Sequence, residues 1–159
     1  MSLIALVTWI TTAGGGLYLL SIWLIEYDRN FQAVAATRLP PPVVAGHVLL
    51  AGGGLVVWIV YLLYDQERLA WISVSALVAA VMLGLVMAIR WIGVYRAGRA
   101  RTRLALVAAA NGQITLAGRR PPEGPPERNF PLPVVIAHGA FAALTLTLVL
   151  LTALGVFGS

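Results

Sequence analysis

Four long apolar runs dominate the sequence and limit what the chain can fold into. They cover residues 3–25, 43–64, 69–92 and 134–157. Each run is long enough to cross a hydrocarbon layer of about 30 Å as a helix. Only 11% of the residues are charged and the mean hydropathy is +0.88, far from the balance of a soluble domain. Because a chain in lipid must satisfy its own backbone hydrogen bonds, we predict an all-α fold. It is a single transmembrane domain over 1–159, an integral membrane four-helix up-down bundle.

Three polar connections separate the predicted spans. The first ends in the proline-rich stretch 39–42, a stiff start for the second span. The second is short, residues 65–68, so spans two and three should be antiparallel neighbours. The third is a basic loop over residues 95–130. Inside it, residues 104–110 are apolar but too short to cross, and an Asn-Gly pair follows, which favours a small hairpin or an interfacial turn. Residues 121–126 are a proline-rich linker.

The same short pattern opens the second and the fourth span. One begins Pro41-Pro42-Val43-Val44-Ala45-Gly46-His47, and the other begins Pro133-Val134-Val135-Ile136-Ala137-His138-Gly139. The two histidines are the only ones in the chain, and they lie at nearly the same depth of their spans. The order of apolar span, polar loop, proline-rich start and histidine-bearing span occurs twice. This indicates a tandem repeat of a two-helix unit.

The arginines predict the orientation of the chain. All eleven basic residues are arginine, and seven of them lie in the third loop. The positive-inside rule then puts loops one and three in the cytoplasm and both termini outside. The arginine bias is typical of a GC-rich bacterial genome, so we predict a multi-pass protein of the bacterial inner (plasma) membrane. The net charge of +5 is expected to serve contacts with the lipid bilayer rather than with nucleic acid.

The two histidines are the main functional candidates, because ionisable residues inside a membrane are expensive unless they are bonded or ligated. Spans two and four are diagonal in an up-down bundle, so His47 and His138 can point at one another across a gap. Small residues are expected to leave room there: Gly15, Gly53, Gly84 and Gly139. This favours ligation of one flat macrocycle by both imidazoles. Alternatively, each histidine donates to a backbone carbonyl or a threonine. A zinc or copper site is weaker, since two histidines fall short of the usual ligand count.

In the paired histidines and the glycines beside them, the chain resembles the membrane b-type cytochromes. The resemblance is one of architecture and covers all four spans. These families often use four histidines for two haems, and this chain has two histidines. The resemblance therefore implies one haem b per chain, with His47 and His138 as axial ligands of the iron. It also implies arginine partners for the haem propionates at the polar edge of the bundle: Arg38, Arg90 and Arg128. The chain has no cysteine and no lysine, which excludes haem attachment through Cys-x-x-Cys-His and a retinal Schiff base.

The resemblance further implies an electron-transfer protein or an oxidoreductase subunit rather than a stand-alone enzyme. Quinone or other membrane redox subunits would be its partners. No nucleophile–base pair or nucleotide fingerprint is visible in the sequence. Two other hypotheses stay open. One is a cofactor-free structural or assembly subunit with glycine-rich packing faces. The other is a small transporter, which a duplication would suit.

Overall fold

A computed structural model of the chain describes residues 1–29, 37–112 and 125–156. This part forms four α-helices: α1 (Ser2–Arg29), α2 (Pro41–Tyr64), α3 (Glu67–Ala110) and α4 (Leu132–Ala153). A 3-10 turn at Pro126–Asn129 precedes α4. All four helices are long and apolar enough to cross a membrane, and the described residues contain no strand. The predicted all-α four-helix membrane bundle is confirmed.

Prolines set where the two histidine-bearing helices begin. α2 starts at Pro41 and α4 at Leu132, each directly after a proline in extended conformation. Proline is tolerated there because the first N–H groups of a helix have no acceptor within it. At the other end of α2, Asp65 adopts a left-handed φ of 50° and turns the chain into α3. The short connection therefore makes α2 and α3 antiparallel neighbours, as predicted.

α3 is much longer than the predicted third span. It continues past residue 92 into the segment predicted as a basic loop and ends only at Ala110. Residues 104–110 are thus helical rather than a hairpin or an interfacial turn. The reason is local: residues 93–110 contain no proline and consist mostly of alanine, arginine and leucine, which are strong helix formers. The helix ends where Gly112 takes a φ of 65°.

α4 is shorter than predicted, since it ends at Ala153 rather than near residue 157. A turn follows, in which Gly155 has a φ of 67°. Most of the proline-rich linker predicted over residues 121–126 lies outside the described residues.

The helices form a ring in which α2 packs mainly on α3, and α1 mainly on α4. The contacts of α1 with α2 and of α3 with α4 are sparser, and α2 and α4 lie diagonally. At the end that holds both termini, Trp9, Trp58 and Val149 form a tightly packed core. Trp9 lies so close to Gly54 that a Cβ there would be 3.2 Å from the indole. The bundle is therefore filled at the level of these three side chains.

Candidate cofactor site

His47 and His138 meet inside the bundle. One comes from α2 and the other from α4, and both are partly buried. Their ring centroids are 6.3 Å apart, with the ring planes inclined at 65°. The diagonal placement of α2 and α4 thus brings together the two side chains that the sequence singled out.

Each imidazole is held through Nδ1 by a backbone carbonyl of the helix beside it. Nδ1 of His47 lies 2.8 Å from the carbonyl oxygen of Ala80 on α3, and Nδ1 of His138 lies 3.0 Å from that of Thr12 on α1. A carbonyl oxygen can only accept, so Nδ1 must carry the hydrogen in both rings. In the neutral imidazole this leaves the lone pair on Nε2. Both Nε2 atoms are therefore available as ligands.

Glycines make this close approach feasible. A Cβ added to Gly16 would lie 3.0 Å from Cε1 of His138, and one added to Gly84 would lie 3.1 Å from Cε1 of His47. Gly15 also faces His138, with a Cβ-to-Nδ1 separation of 3.6 Å. Gly16 and Gly84 each follow, by one helical turn, the carbonyl that accepts from the histidine. The two histidine contacts are therefore built in the same way.

Gly53 and Gly139 do not line the histidine pair. Both are exposed, and a Cβ at either position would meet nothing within 4 Å. The third glycine of the α2 run, Gly54, is the one that points into the bundle, where it receives Trp9. The pattern of three consecutive glycines did not reveal which of them faces inward.

The layer that contains the histidines has more exposed side chains than the layers on either side of it. No residue is classed as buried in the described stretches 10–22, 40–53, 81–90 and 132–144, which include both histidines. Buried tryptophans bound this layer, Trp9 and Trp58 on one side and Trp23 and Trp91 on the other. Side chains in the histidine layer therefore bury less of their surface than those at the two tryptophan levels.

The spacing of the rings fits ligation of one metal ion from both sides. Metal–imidazole bonds are about 2.0–2.1 Å long, and the ring centre lies about 1.2 Å behind the nitrogen. Two imidazoles on opposite sides of one metal therefore have centroids about 6.4 Å apart, close to the 6.3 Å observed. No group of three or more histidine, cysteine or acidic side chains lies together among the described residues. The donor set therefore suits a metal whose other ligands come from a macrocycle better than it suits zinc.

Arginines and one buried carboxylate gather at the end of the bundle where the first and third connections lie. Nη1 of Arg90 donates to the carbonyl of Arg38 at 3.2 Å. Glu127, which is 0% exposed, accepts from the N–H of Arg38 at 2.7 Å and from the hydroxyl of Thr37 at 3.0 Å. Arg128 is exposed beside it. The three arginines named from the sequence therefore lie at one end of the bundle.

The sequence did not predict that Glu127 is buried between the two loops, nor that Gly16 is the glycine against which His138 packs. A signal for the glycine exists: Gly16, Trp23 and Tyr27 have the same spacing as Gly84, Trp91 and Tyr95. Both tryptophans donate to the segment that precedes a histidine-bearing helix. Nε1 of Trp23 donates to the Thr37 hydroxyl, and Nε1 of Trp91 donates to the Glu127 carbonyl. Glu127 gives no comparable signal, since its burial depends on contacts with a distant loop.

A comparison of the chain with protein-family models, with curated proteins and with solved structures finds no match.

Proposed function

We propose that the protein is a small membrane cytochrome of the b type, which passes single electrons through one haem b held by His47 and His138. One observation supports this most: two imidazoles, each with Nδ1 bonded to a carbonyl, lie inside the bundle with their ring centroids 6.3 Å apart. Histidines that ligate metals usually donate their other ring N–H in this way. The bound haem would supply one-electron redox chemistry at its iron.

The carbonyls of Ala80 and Thr12 hold the ligands in place. They fix the Nδ1–H tautomer, orient each ring and raise the basicity of Nε2. Gly16 and Gly84 let the rings lie against their neighbouring helices. The apolar helices around the pair keep water away, which is one of the factors that set the potential of a haem.

The two ends of the bundle differ in a way that suits a cofactor with one polar edge. The end near the termini is closed by Trp9, Trp58 and Val149. The other end carries the guanidinium groups of Arg38 and Arg90, which suit charge-assisted hydrogen bonds to propionates. The tryptophans also fill the half of the bundle that a second haem would need, so we propose one haem per chain.

We further propose that the protein lies in a bacterial inner membrane with loops one and three in the cytoplasm and both termini outside. The concentration of arginine in these two loops supports this orientation. Quinone or other membrane redox subunits would then exchange electrons with the haem.

A cofactor-free structural or assembly subunit is the second candidate. The hydrogen bonds of the two histidines favour it, because Nδ1 of each ring already has a partner without any ligand. In that case the exposed side chains of the histidine layer would pack against partner helices.

An absorption spectrum of the detergent-purified protein from haem-replete cells separates the two functions. We expect a Soret band and, after dithionite reduction, a sharp α-band that both His47→Ala and His138→Ala abolish. Thr147→Ala, which removes an exposed side chain from α4, is the control and should keep both bands. A colourless wild-type protein that elutes as a folded species would contradict the cytochrome and support the packing subunit.

A further inference from the structure

α3 extends beyond the bundle as a helix that packs on nothing in the described part of the chain. From Glu67 to Trp91 it rises about 36 Å, which already exceeds a hydrocarbon layer of about 30 Å. Val94 is its last buried residue, and residues 96–110 follow as helix with no buried side chain. A helix of this length is marginal in water by itself. The extension avoids the cost of nucleation because it continues α3, and a surface along its exposed face would stabilise it further.

One face of the extension is strongly basic. Arg96, Arg99 and Arg103 are exposed and spaced three and four residues apart, which aligns them along one side of the helix. Arg101 lies on the opposite side by the same geometry. The sequence contains no acidic residue between Glu67 and Glu123 to neutralise this stripe. The positive charges of these arginines repel one another, so an anionic surface would stabilise the helix.

A row of stacked side chains connects this stripe to the bundle. Tyr95 stacks on Trp91 with ring centroids 5.1 Å apart, and the Arg99 guanidinium lies 5.7 Å from the centroid of the Tyr95 ring. Arg99 also donates to the Tyr95 hydroxyl at 3.1 Å. Gly84, which contacts His47, lies about 10 Å along the helix from Trp91 at 1.5 Å per residue. Arg96, at the base of the stripe, is thus about 18 Å along the helix axis from Gly84 and the histidine site.

The distance of the arginine stripe from the membrane favours a protein, rather than the lipid surface, as its binding partner. The headgroup region adds only about 5–8 Å on each side of the hydrocarbon. Arg103 lies about 18 Å beyond Trp91 along the axis, farther than a Debye length of about 8 Å reaches from the headgroups. Next to the stripe, Leu106 and Val107 are 58% and 53% exposed. Apolar side chains beside a basic stripe fit a protein interface better than open water.

We propose that the stripe of Arg96, Arg99 and Arg103 docks an acidic, soluble one-electron carrier protein, such as one of the ferredoxin type. The carrier is oxidised by one electron and the site between the histidines is reduced by one. This proposal rests on the proposed function, because it assigns the stripe to the partner that reduces the haem.

The test is the rate of haem reduction by a photoreduced acidic [2Fe–2S] ferredoxin, measured by stopped flow in nanodiscs of uncharged lipid. Arg103→Gln should slow the reaction about two- to threefold, and Arg96→Gln/Arg99→Gln/Arg103→Gln at least about tenfold, at low ionic strength. Added salt should remove most of the difference. Arg101→Gln, the matched control on the opposite face, should keep the wild-type rate.

Equal rates for Arg103→Gln and Arg101→Gln would overturn the proposal. So would an effect of the triple substitution that appears only in nanodiscs with anionic lipid, since the stripe would then bind headgroups. If the protein has no α-band, the proposed function fails, and ferredoxin binding by the colourless protein tests docking separately. Binding weakened by Arg103→Gln and not by Arg101→Gln supports the docking surface, and equal binding overturns it.

Discussion

A glycine one turn beyond an accepting carbonyl allows each histidine to lie against its neighbouring helix. The ring needs the carbonyl of Thr12 or Ala80 for Nδ1, and it needs the space that a Cβ at Gly16 or Gly84 would take. Since the carbonyl and the glycine are one turn apart, they lie on the same side of the helix. A carbonyl or a glycine alone would not indicate a histidine contact, but the two together, one helical turn apart, do.

Gly16→Ala should therefore weaken the site, whereas Gly14→Ala should not. The new methyl at position 16 would meet Cε1 of His138 at 3.0 Å, while the space at position 14 is open. Overpacking costs about 1–3 kcal/mol, which exceeds the gain of about 0.5–1 kcal/mol from removing a helical glycine. Gly14→Ala should be neutral or slightly stabilising. Thermal unfolding in detergent and haem content per chain are the readouts. A Gly16→Ala protein as stable and as red as Gly14→Ala would refute the packing argument.

Glu127 joins the two loops through its carboxylate, so removing it should loosen the basic end of the bundle. Glu127→Ala leaves the Arg38 N–H without its acceptor and the Thr37 hydroxyl with only the longer bond to the Leu39 carbonyl at 3.4 Å. Hydrogen bonds to a charged group are worth about 1.5–3 kcal/mol, and we expect a loss of stability of this order. Glu67→Ala, which removes an exposed carboxylate, should change stability by less than about 0.5 kcal/mol. Equal melting temperatures for the two variants would show that the Glu127 contacts contribute nothing.

At the scale of the elements, apolar length predicts where the helices cross the membrane but does not predict where they end. The starts of α2 and α4 were predictable because proline marks them. The end of α3 was not, because residues 93–110 leave the apolar pattern while keeping strong helix propensity. The diagonal placement of α2 and α4 could be predicted from the lengths of the connections. The inward direction of Gly54 rather than Gly53 did not, because it depends on the position of Trp9.

A proline in the α3 extension should separate the extension from the bundle. Ala100→Pro removes a helical hydrogen bond and clashes with the preceding turn, so far-UV circular dichroism should show fewer helical residues. Since no residue of 96–110 is buried, the melting temperature of the bundle should stay unchanged. The same change at Ala80, a buried position whose carbonyl accepts from His47, should abolish folding. No loss of helicity in Ala100→Pro would contradict a continuous α3.

At the scale of the whole molecule, the two halves of the chain are related by an approximate two-fold symmetry. His47 from α2 bonds to α3, and His138 from α4 bonds to α1. Each half therefore supplies one histidine and the carbonyl that holds the other. The two-helix repeat predicted from the proline–valine–histidine pattern agrees with this arrangement, and within the described residues neither half forms a histidine contact of this kind within itself.

The symmetry is broken by side-chain size at the end near the termini. Trp58 follows His47 by 11 residues, and Val149 follows His138 by 11 residues. Trp9 precedes Gly16 by seven residues, and Leu77 precedes Gly84 by seven residues. Two copies of the first half would place four tryptophans in the space that holds two. Two copies of the second half would place none there. Overpacking and cavities both cost free energy, so the two halves should prefer each other to themselves.

Cutting the chain between Asp65 and Gln66 tests this, because the connection between α2 and α3 is short and exposed. Fragments 1–65 and 66–159, co-expressed with different tags, should co-purify as a one-to-one pair with the absorption spectrum of the intact protein. Expressed alone, each fragment should self-associate weakly and melt at a lower temperature. With His47→Ala in the first fragment, the pair should still form but lose the spectrum, because assembly depends on the tryptophan packing and the proposed ligation depends on both imidazoles. Fragments that associate with themselves as readily as with each other would show that the tryptophans do not select the pairing.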